Sequence, residues 1–315
     1  MSNIKNAVPV QHFPTQVGIN PLVSIIVNVY NHEKFLEENL YGILNQKCNF
    51  SFEILLGEDG SKDNSREICK IFAKNYPKII RLFLHDRQNV IFINNSPTGR
   101  FNLLYSLSQA NGKYVALCPG DDYWIDPNKL QSQVDFLEDN QKYSMCCHSV
   151  KIIETGENVS IYKPFRPFIQ DATFKDILNT HFIPTLSLVF RKSFLPSPIP
   201  SWYSKPISGD IPLELILADR GPCRYIEKQM GVYRHHHGGV TKNKARKKNW
   251  LKYRILLYTL VNNGLDKKYS RDIFFKINSL SIKRIMFLIK NILKKGNSIA
   301  LREDLISYFK YLITK

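Results

Sequence analysis

The sequence predicts an α/β fold with a doubly wound, mixed but mainly parallel sheet and flanking helices, followed by a basic helical C-terminal region. Three observations predict it. Residues 23–30, VSIIVNVY, form a continuous and mostly β-branched apolar run, which is typical of a strand buried on both faces. Apolar strand patterns then alternate with segments whose apolar residues recur at helical spacing, as in sheets built with right-handed crossovers. Several of these strand patterns end in polar loops, where sheets of this class bind ligands.

The other elements follow in order along the chain. Residues 1–21 contain three prolines and no apolar periodicity, so they are expected to form an irregular lead-in. The patterns up to residue 117 predict helices at 33–46, 65–76 and 100–110 and strands at 52–56, 79–84 and 114–117. A second layer is predicted beyond Trp124, with helices at 127–138 and 174–179 and strands at 143–153 and 187–190.

Polar loops follow three of the predicted strands, at residues 28–31, 58–63 and 119–122. Because ligands of doubly wound sheets sit beyond the carboxyl ends of the strands, we expect these loops to converge on one cleft. The third loop contains two adjacent carboxylates, Asp121 and Asp122. Carboxylates that hold Mg²⁺ or Mn²⁺ leave room for water and phosphate oxygens, which suits a nucleoside diphosphate. The alternative is a turn in which both side chains are solvated or cap the next helix.

The positive charge is concentrated at one end of the chain. The formal net charge is +17, and residues 241–315 contribute +15 of it, with 19 Lys and Arg against 4 Asp and Glu. This asymmetry predicts contact with an anionic surface, which is membrane phospholipid, nucleic acid or an acidic partner.

The spacing of the cysteines and the lengths of the apolar runs predict whether the protein binds metal through thiols or spans a membrane. The six cysteines show no metal-ligand spacing, so free thiols are expected. The sequence has neither a signal-peptide pattern nor an apolar run of about 18 residues, so we expect no spanning helix and a cytoplasmic location.

Five segments, in this order, resemble the inverting family-2 glycosyltransferases of GT-A fold: VSIIVNVYN, EDGSKDNS, ALCPGDDYWIDPNKL, SGDIPLELILADRG and GVYRHHHGG. The resemblance covers roughly residues 22–240. It implies a nucleotide-sugar-binding half at 22–125 and an acceptor-binding half at 126–240, with 241–315 as a separate basic helical region.

The resemblance implies a set of donor-binding residues. Asp59 is expected to accept a hydrogen bond from the base, which Val29 and Tyr30 flank. Because a carboxylate accepts from the N3–H of uracil or the N1–H and N2–H of guanine, Asp59 fits a base with a ring N–H, and UDP is the expected nucleotide. Asp121 is expected to contact ribose or a metal-bound water. Glu58 is a supporting residue, with a solvated loop position as the alternative.

The resemblance also implies a divalent metal, Mn²⁺ or Mg²⁺. Asp122 is expected to coordinate it, with His236 assisting. Arg234 is expected to neutralise phosphate or, alternatively, to form an internal salt bridge. Arg100 resembles a donor-binding arginine, with a plain surface role as the alternative. The sequence departs from the family at Pro119, where an acidic residue is frequent.

On the acceptor side the resemblance implies a general base. Inversion needs a base opposite the departing diphosphate, and Asp210 matches it, with a helix N-cap as the alternative role. Trp124 is expected either to form a wall of the sugar pocket or to pack in the core. Thr185 and Ser187 are expected on the acceptor side.

Residues 282–295 carry an apolar stripe beside a lysine stripe, which is typical of a helix lying in a membrane interface. This pattern suits a peripheral protein on the inner face of the plasma membrane with a lipid-linked acceptor. In the alternative, the apolar stripe docks on the catalytic domain and the lysines stay in water.

The predicted function is the inverting transfer of a sugar from a nucleoside diphosphate donor to a hydroxyl of a glycan or lipid-linked acceptor. The alternative is a non-catalytic protein whose basic region, with Trp250, Tyr253 and Tyr258, binds nucleic acid or membrane. A nucleotidyltransferase is disfavoured because NVYNHEKF, after the first strand, lacks a glycine-rich phosphate loop.

Overall fold

The computed structural model describes residues 7–18, 20–154, 162–164, 169–236, 250–295 and 306–311, with side chains from 162–164 and 288–295 excepted. In chain order the strands are β1 Gln11–His12, β2 Val23–Val29, β3 Phe52–Glu58, β4 Ile80–Leu84, β5 Ile91–Ile93, β6 Ser96–Thr98, β7 Tyr114–Leu117, β8 Tyr123–Trp124, β9 Met145–Glu154, β10 Tyr162–Pro164, β11 Asp171–Ala172, β12 Val189–Arg191 and β13 Cys223–His235. The helices longer than one turn are α1 Leu36–Leu44, α2 Ser65–Asn75, α3 Arg100–Gln109, α4 Lys129–Asp139, α5 Phe174–Thr180, α6 Asp210–Arg220, α7 Trp250–Gly264 and α8 Ser270–Lys295.

One central sheet runs through the described part of the chain in the order β1-β4-β3-β2-β7-β12-β9-β13-β11. Strands β4, β3, β2 and β7 are mutually parallel, and β13 is parallel to β9. The short β12 is antiparallel to both of its neighbours, β7 and β9. The prediction of a mixed, mainly parallel sheet with flanking helices is therefore confirmed.

Strand β2 is buried on both faces, as its unbroken apolar run predicts. Ile26 packs with Leu55 in one hydrophobic cluster, whereas Ile25 and Val27 pack with Ile54 in the other. Alternate residues of a strand point to opposite faces, so the two clusters lie on opposite sides of the sheet. Helices α1, α2 and α4 contribute to the second cluster, and α3, α5 and α6 contribute to the first.

The strands that the sequence analysis did not predict include β1 and β13. The lead-in was expected to be irregular, but Gln11–His12 pairs antiparallel with β4 at the sheet edge and satisfies backbone groups there. Strand β13, with 13 residues, alternates buried and partly exposed positions over much of its length and has two register irregularities against β9. Its half-polar sequence lacks the apolar run that identifies β2.

The C-terminal helices pack against α5 and α6. Leu257, Val261, Ile273 and Ile277 belong to the same cluster as α5 and α6. Helix α7 and the first half of α8 are therefore packed against the rest of the fold. Within the described residues, no helix is long and apolar enough to cross a membrane.

The second half of α8 is different. The side chains of Ile282, Met286 and Phe287 are 54%, 64% and 56% exposed. Of the other members of the predicted stripes, Lys283 is exposed and Ile285 is partly buried, whereas the following lie outside the residues whose side chains are described: Ile289, Lys290, Ile292, Leu293 and Lys294.

Candidate functional site

The three polar loops meet at one edge of the sheet. Strand β2 lies between β3 and β7, so the carboxyl ends of all three are neighbours. Beyond the ladders, the amide of Asp59 donates to the carbonyl of Val29 at 2.9 Å, and the amide of Gly120 donates to that of Asn28 at 3.1 Å. The predicted convergence of the loops is confirmed, with β2 as the common support.

Gly120 permits the close approach of two of these loops. A Cβ at this position would lie 2.8 Å from Nδ1 of His32 and 3.2 Å from the carbonyl oxygen of Asn28. The first separation is shorter than Cβ atoms show and the second is tight, so a larger residue here would require His32 or one of the loops to shift. Glycine thus lets the loop that carries Asp121 and Asp122 pack closely on the end of β2.

Asp121 is the carboxylate of its loop that stays partly exposed to solvent. Its side chain is 23% exposed, and Oδ2 lies 3.1 Å from Nε2 of His236 and 3.9 Å from Nε2 of His32. Burial opposes ionisation of Asp121, but the hydrogen bond with His236 and the charge of His32 outweigh it and lower the pKa. Asp121 is therefore ionised and flanked by two imidazoles.

The side chain of Asp122 points into the protein instead. It is 1% exposed, and its Oδ1 accepts a hydrogen bond at 2.9 Å from the backbone amide of Arg234 in β13. Burial, followed by the charge of Asp121, raises its pKa well above the usual value. The geometry does not favour the expectation that Asp122 coordinates the metal, because this carboxylate joins the loop to β13 instead.

Arg234 is committed to internal contacts. Its Nη1 donates to the carbonyl oxygen of Asp121 at 2.9 Å, and Nη2 forms an ion pair with Glu38 of α1. The guanidinium also lies 4.2 Å from the ring centroid of Tyr123. These contacts support the internal salt bridge rather than a free phosphate-binding arginine. The aspartate cluster comprises Asp121, Asp122, Arg234 and His236.

A second group, the Asp59 cluster, comprises Tyr30, Asp59 and Arg87. Asp59 is 4% exposed, and Nη1 of Arg87 donates to its Oδ2 at 3.0 Å. The same guanidinium lies 4.3 Å from the centroid of the Tyr30 ring. Burial raises the pKa of Asp59 to about 7, although Arg87 opposes the shift. Val29, which was predicted to flank the base, has a side chain buried in the core.

Glu58 shapes the loop that carries Asp59. It is fully buried, and its two oxygens accept from the amide of Ser61 at 2.6 Å and from Nε of Arg66 at 2.5 Å. The carboxylate is thus neither a solvated loop group nor directed at a ligand. It fixes the turn between β3 and α2.

Asp210 stands apart from both clusters, as the first residue of α6. It is exposed, and its Oδ1 accepts from the amide of Ile211 at 2.9 Å and from the hydroxyl of Ser208. The N-cap of α6 is Gly209, so the alternative role of Asp210 as a helix N-cap is wrong. Arg100, which is 4% exposed, donates from Nη2 to the carbonyl of Pro206 at 2.9 Å, so it is not a surface residue.

The structure gives the surroundings of the three remaining residues of the acceptor-side expectations. Trp124 is 2% exposed and its Nε1 donates to the carbonyl of Leu186 at 2.8 Å, which supports the core-packing alternative. The hydroxyl of Ser187 donates to the carbonyl of Pro184 at 2.7 Å, and Ser187 is buried. Thr185 begins the short 3₁₀ turn that Ser187 ends.

The described residues contain no group of three or more His, Cys, Asp or Glu side chains arranged to hold a metal ion by themselves. Asp121 and His236 offer a carboxylate oxygen and an imidazole nitrogen that lie 3.1 Å apart and are both partly exposed. Two protein ligands suffice for Mn²⁺ or Mg²⁺ when substrate phosphates and water complete the shell.

Sequence reasoning missed four residues of the site. His32 directly follows the strand-end loop, a position that the pattern marks as ligand-facing. Glu38 and Asn39 belong to α1, and the amide of Asn39 donates to the carbonyl oxygens of Pro119 at 2.8 Å and Asp122 at 2.7 Å. Arg87 lies in a short 3₁₀ turn after β4, and no sequence pattern identified it.

A doubly wound mixed sheet whose central strands end in acidic loops defines a protein of GT-A fold. A model of the family Glycosyl transferase family 2 matches residues 24–195. Because that match covers more than half of the chain, the protein belongs to this family. An uncharacterised protein of Mycobacterium tuberculosis is 33% identical over 223 residues, 69% of this chain and 60% of that relative. The chain thus spans less than two thirds of that relative.

Two solved structures share the fold. TarS 1–349 from S. aureus, in complex with UDP-GlcNAc, superposes with a TM-score of 0.62 at 16% identity over 92% of this chain and 81% of that one. The mannosyltransferase PcManGT from Pyrobaculum calidifontis, in complex with GDP-Man and Mn²⁺, gives a TM-score of 0.56 at 16% identity over 97% and 78%.

Proposed function

We propose that the protein is an inverting glycosyltransferase that moves a sugar from a nucleoside diphosphate, expected to be UDP, to a hydroxyl of a glycan or lipid-linked acceptor. The observation that carries this proposal is the pair of acidic clusters at the carboxyl edge of the sheet. The Asp59 cluster and the aspartate cluster are supported by the same strand, β2, through Val29 and Asn28. A nucleotide lying along this edge would span both.

The Asp59 cluster suits a base. Tyr30 and Arg87 offer a ring face and a planar cation, and Asp59 offers an acceptor for a ring N–H. Because TarS was solved with UDP-GlcNAc and PcManGT with GDP-Man, both uracil and guanine are chemically consistent with such a site. UDP remains the proposed nucleotide, since uracil N3–H pairs with a single carboxylate oxygen.

The aspartate cluster suits a diphosphate and its cation. We propose that Asp121 and His236 hold the ion, in preference to Asp122, because Asp121 is partly exposed whereas Asp122 is buried. When bound, a divalent cation supplies positive charge to the departing diphosphate. The presence of Mn²⁺ in the PcManGT complex supports this choice of cofactor.

Asp210 is the proposed general base. It takes the proton of the acceptor hydroxyl as that oxygen attacks the anomeric carbon. The bond from that carbon to the diphosphate oxygen breaks, and the bonding electrons leave with the diphosphate. Ser208 and the amide of Ile211 hold one carboxylate oxygen of Asp210, which fixes the orientation of the group at the helix start.

The test of the donor site is thermal stabilisation by UDP, GDP, TDP and ADP, each with and without Mn²⁺. Ligand that binds only the folded state raises Tm by mass action. We expect UDP with Mn²⁺ to raise Tm in the wild type, and the metal-dependent part to disappear in Asp121→Asn. Glu67→Gln, which neutralises an exposed carboxylate on α2, is the matched control and should respond like the wild type. No stabilisation by any nucleotide would overturn the proposal.

We further propose that the second half of α8 lies on an anionic phospholipid bilayer at the inner face of the plasma membrane. Ile282, Met286 and Phe287 form an exposed apolar surface that also carries Lys283, within a region of net charge +15. A helix that lies in a membrane interface inserts apolar side chains at the headgroup boundary, and the cations beside them are attracted to anionic lipid. Such a position suits a lipid-linked acceptor.

Co-sedimentation with vesicles tests the membrane surface. We expect binding to phosphatidylglycerol vesicles, weaker binding to phosphatidylcholine vesicles, and a loss of at least about fivefold for the Met286→Ser, Phe287→Ser variant, since each buried apolar side chain contributes about 1.5–3 kcal/mol. Ile71→Ser, at a position of α2 that is 56% exposed, is the control and should bind normally. Binding to RNA in place of either vesicle would contradict this proposal.

A further inference from the structure

Arg100 is a buried arginine whose contacts lie in the acceptor half, although it begins α3 in the nucleotide-binding half. It is 4% exposed. Nη2 donates to the carbonyl oxygen of Pro206 at 2.9 Å, and Cζ lies 4.9 Å from the centroid of the Tyr203 ring. The guanidinium therefore holds the segment 203–209, which leads into Asp210.

The same segment is tied down at its end. The hydroxyl of Tyr203 donates to the carbonyl oxygen of Gly209 at 2.7 Å. A Cβ on Gly209 would lie 2.9 Å from Nη1 and 3.1 Å from Cζ of Arg100, so the guanidinium is packed directly on the backbone next to Asp210. Arg100 and Tyr203 thus contact this backbone at two points within four residues of Asp210.

The Arg100 side chain is costly for the fold. Nη1 is buried and has no hydrogen-bond partner among the described residues. A buried cation with an unsatisfied donor destabilises a protein relative to an apolar side chain of similar volume. The planar guanidinium nevertheless makes the hydrogen bond to Pro206 and packs on Gly209, which are the contacts of a rigid support.

The N-terminal turn of α3 also touches the donor side. Asn102 is 1% exposed, and its Nδ2 donates to the carbonyl oxygen of Gly57 at 2.6 Å, one residue before Glu58 and two before Asp59. One turn of helix thus contacts the strand that carries Asp59 and, through Arg100, the segment that carries Asp210.

We infer that Arg100 is a positioning residue that fixes Asp210 relative to the donor site, acting through Pro206, Tyr203 and Gly209. This inference rests on the proposed role of Asp210 as general base. It replaces the donor-binding role expected for Arg100, because the guanidinium hydrogen-bonds to and packs on the 203–209 segment. A displacement of about 1 Å in a reacting group lowers rate by up to about 100-fold, so a support of this kind governs turnover.

The experiment separates donor binding from turnover in Arg100→Lys. Lysine keeps the charge near Tyr203 but loses the planar group that reaches Pro206 and packs on Gly209. We expect kcat to fall about 10- to 100-fold, while the Kd for UDP with Mn²⁺ stays within about twofold of the wild type. Tyr203→Phe, which removes only the hydrogen bond to Gly209, should lower kcat with the same unchanged Kd.

A double-mutant cycle with Asp210→Asn tests whether Arg100 acts through the base. We expect Arg100→Lys to lower the residual rate of Asp210→Asn by less than about twofold, because the group it positions is already lost. If the loss of kcat in the double mutant equals the product of the losses in Arg100→Lys and Asp210→Asn, the inference is overturned. A UDP Kd raised tenfold or more in Arg100→Lys would also overturn it, because Arg100 would then be a donor-binding residue.

Two controls complete the design. A Tm of Arg100→Lys near that of the wild type shows that the loss of rate is not a loss of fold. A wild type that binds no nucleotide and transfers no sugar would contradict the proposed function itself. Failure of this inference alone would look different. The wild type would bind UDP and transfer sugar and Asp210→Asn would lose kcat, as proposed, but Arg100→Lys would not give the expected result.

Discussion

Burial raises the pKa of Asp59, although its proposed role as acceptor of a base N–H favours the ionised carboxylate. Because its pKa in the folded protein is raised to about 7, the folded state binds a proton that the unfolded state releases near pH 4. Its protonation therefore stabilises the fold below pH 4, and that contribution is lost as pH rises through 7. The ionised form, which accepts a base N–H more strongly, predominates only above pH 7.

The affinity for UDP should consequently rise with pH. We expect the Kd for UDP, measured by isothermal titration calorimetry with Mn²⁺, to fall about threefold or more between pH 6 and pH 8. Asp59→Asn removes the titrating group, so the pH dependence that it retains belongs to the diphosphate and to other residues. Equal pH profiles for the two proteins would show that Asp59 does not read the base.

Asp210 provides the second prediction for a single residue. Asp210→Asn should lower kcat by about 10²- to 10⁴-fold, the usual contribution of a general base, without weakening UDP binding. Asp219→Asn is the control, because Asp219 lies on the same helix but pairs with Lys268. A rate for Asp210→Asn within threefold of the wild type would remove Asp210 from the mechanism.

The location of a single residue could be predicted from the sequence where the residue lies at the end of a strand or the start of a helix. Asp59 and Asp210 lie at a strand end and a helix start, and the structure has them there. The choice between Asp121 and Asp122 was not predictable, because adjacent side chains in a turn diverge and the backbone dihedrals decide which one stays partly exposed. The partner that captures Asp122 is an amide of β13, far along the chain.

At the scale of elements, β3 and α3 are joined by a contact that leaves no space for a side chain. A Cβ on Gly57 would lie 1.9 Å from Oδ1 of Asn102. We expect Gly57→Ala to lower the free energy of unfolding by about 1–3 kcal/mol, by the strain of overpacking, in urea denaturation. Gly18→Ala, at a position with no atom within 4 Å, should change it by less than about 0.5 kcal/mol. Similar values for both variants would contradict this packing.

Elements were predictable in proportion to how fully they are buried. The strands β2, β3, β4 and β7 were found within a few residues because parallel strands covered on both faces are continuous apolar runs. Strand β13 alternates polar and apolar residues and depends on pairing with β9, which no local pattern contains. The two residues of β1 are too few for any periodicity to identify them.

At the scale of the whole molecule, α7 and the first half of α8 belong to the same hydrophobic core as α5 and α6. Ile277 is 1% exposed, whereas Met286, on the same helix, is 64% exposed. We expect Ile277→Ala to lower the free energy of unfolding by about 2–5 kcal/mol and Met286→Ala by less than about 0.5 kcal/mol. Calorimetry should show one cooperative transition in the wild type. Separate transitions for the helices and the sheet would contradict a shared core.

The pairing of β13 with β9 has a consequence for biosynthesis. The hydrogen bond from Arg234 to Asp122 closes a separation of 112 residues, so the loop that carries Asp121 lacks its final anchor until β13 has left the ribosome. Contacts so distant in sequence form late and slowly. A nascent chain that has already folded β2, β3 and β7 would thus hold the Asp59 cluster before it holds the aspartate cluster, and the proposed donor site would be complete only when β13 enters the sheet.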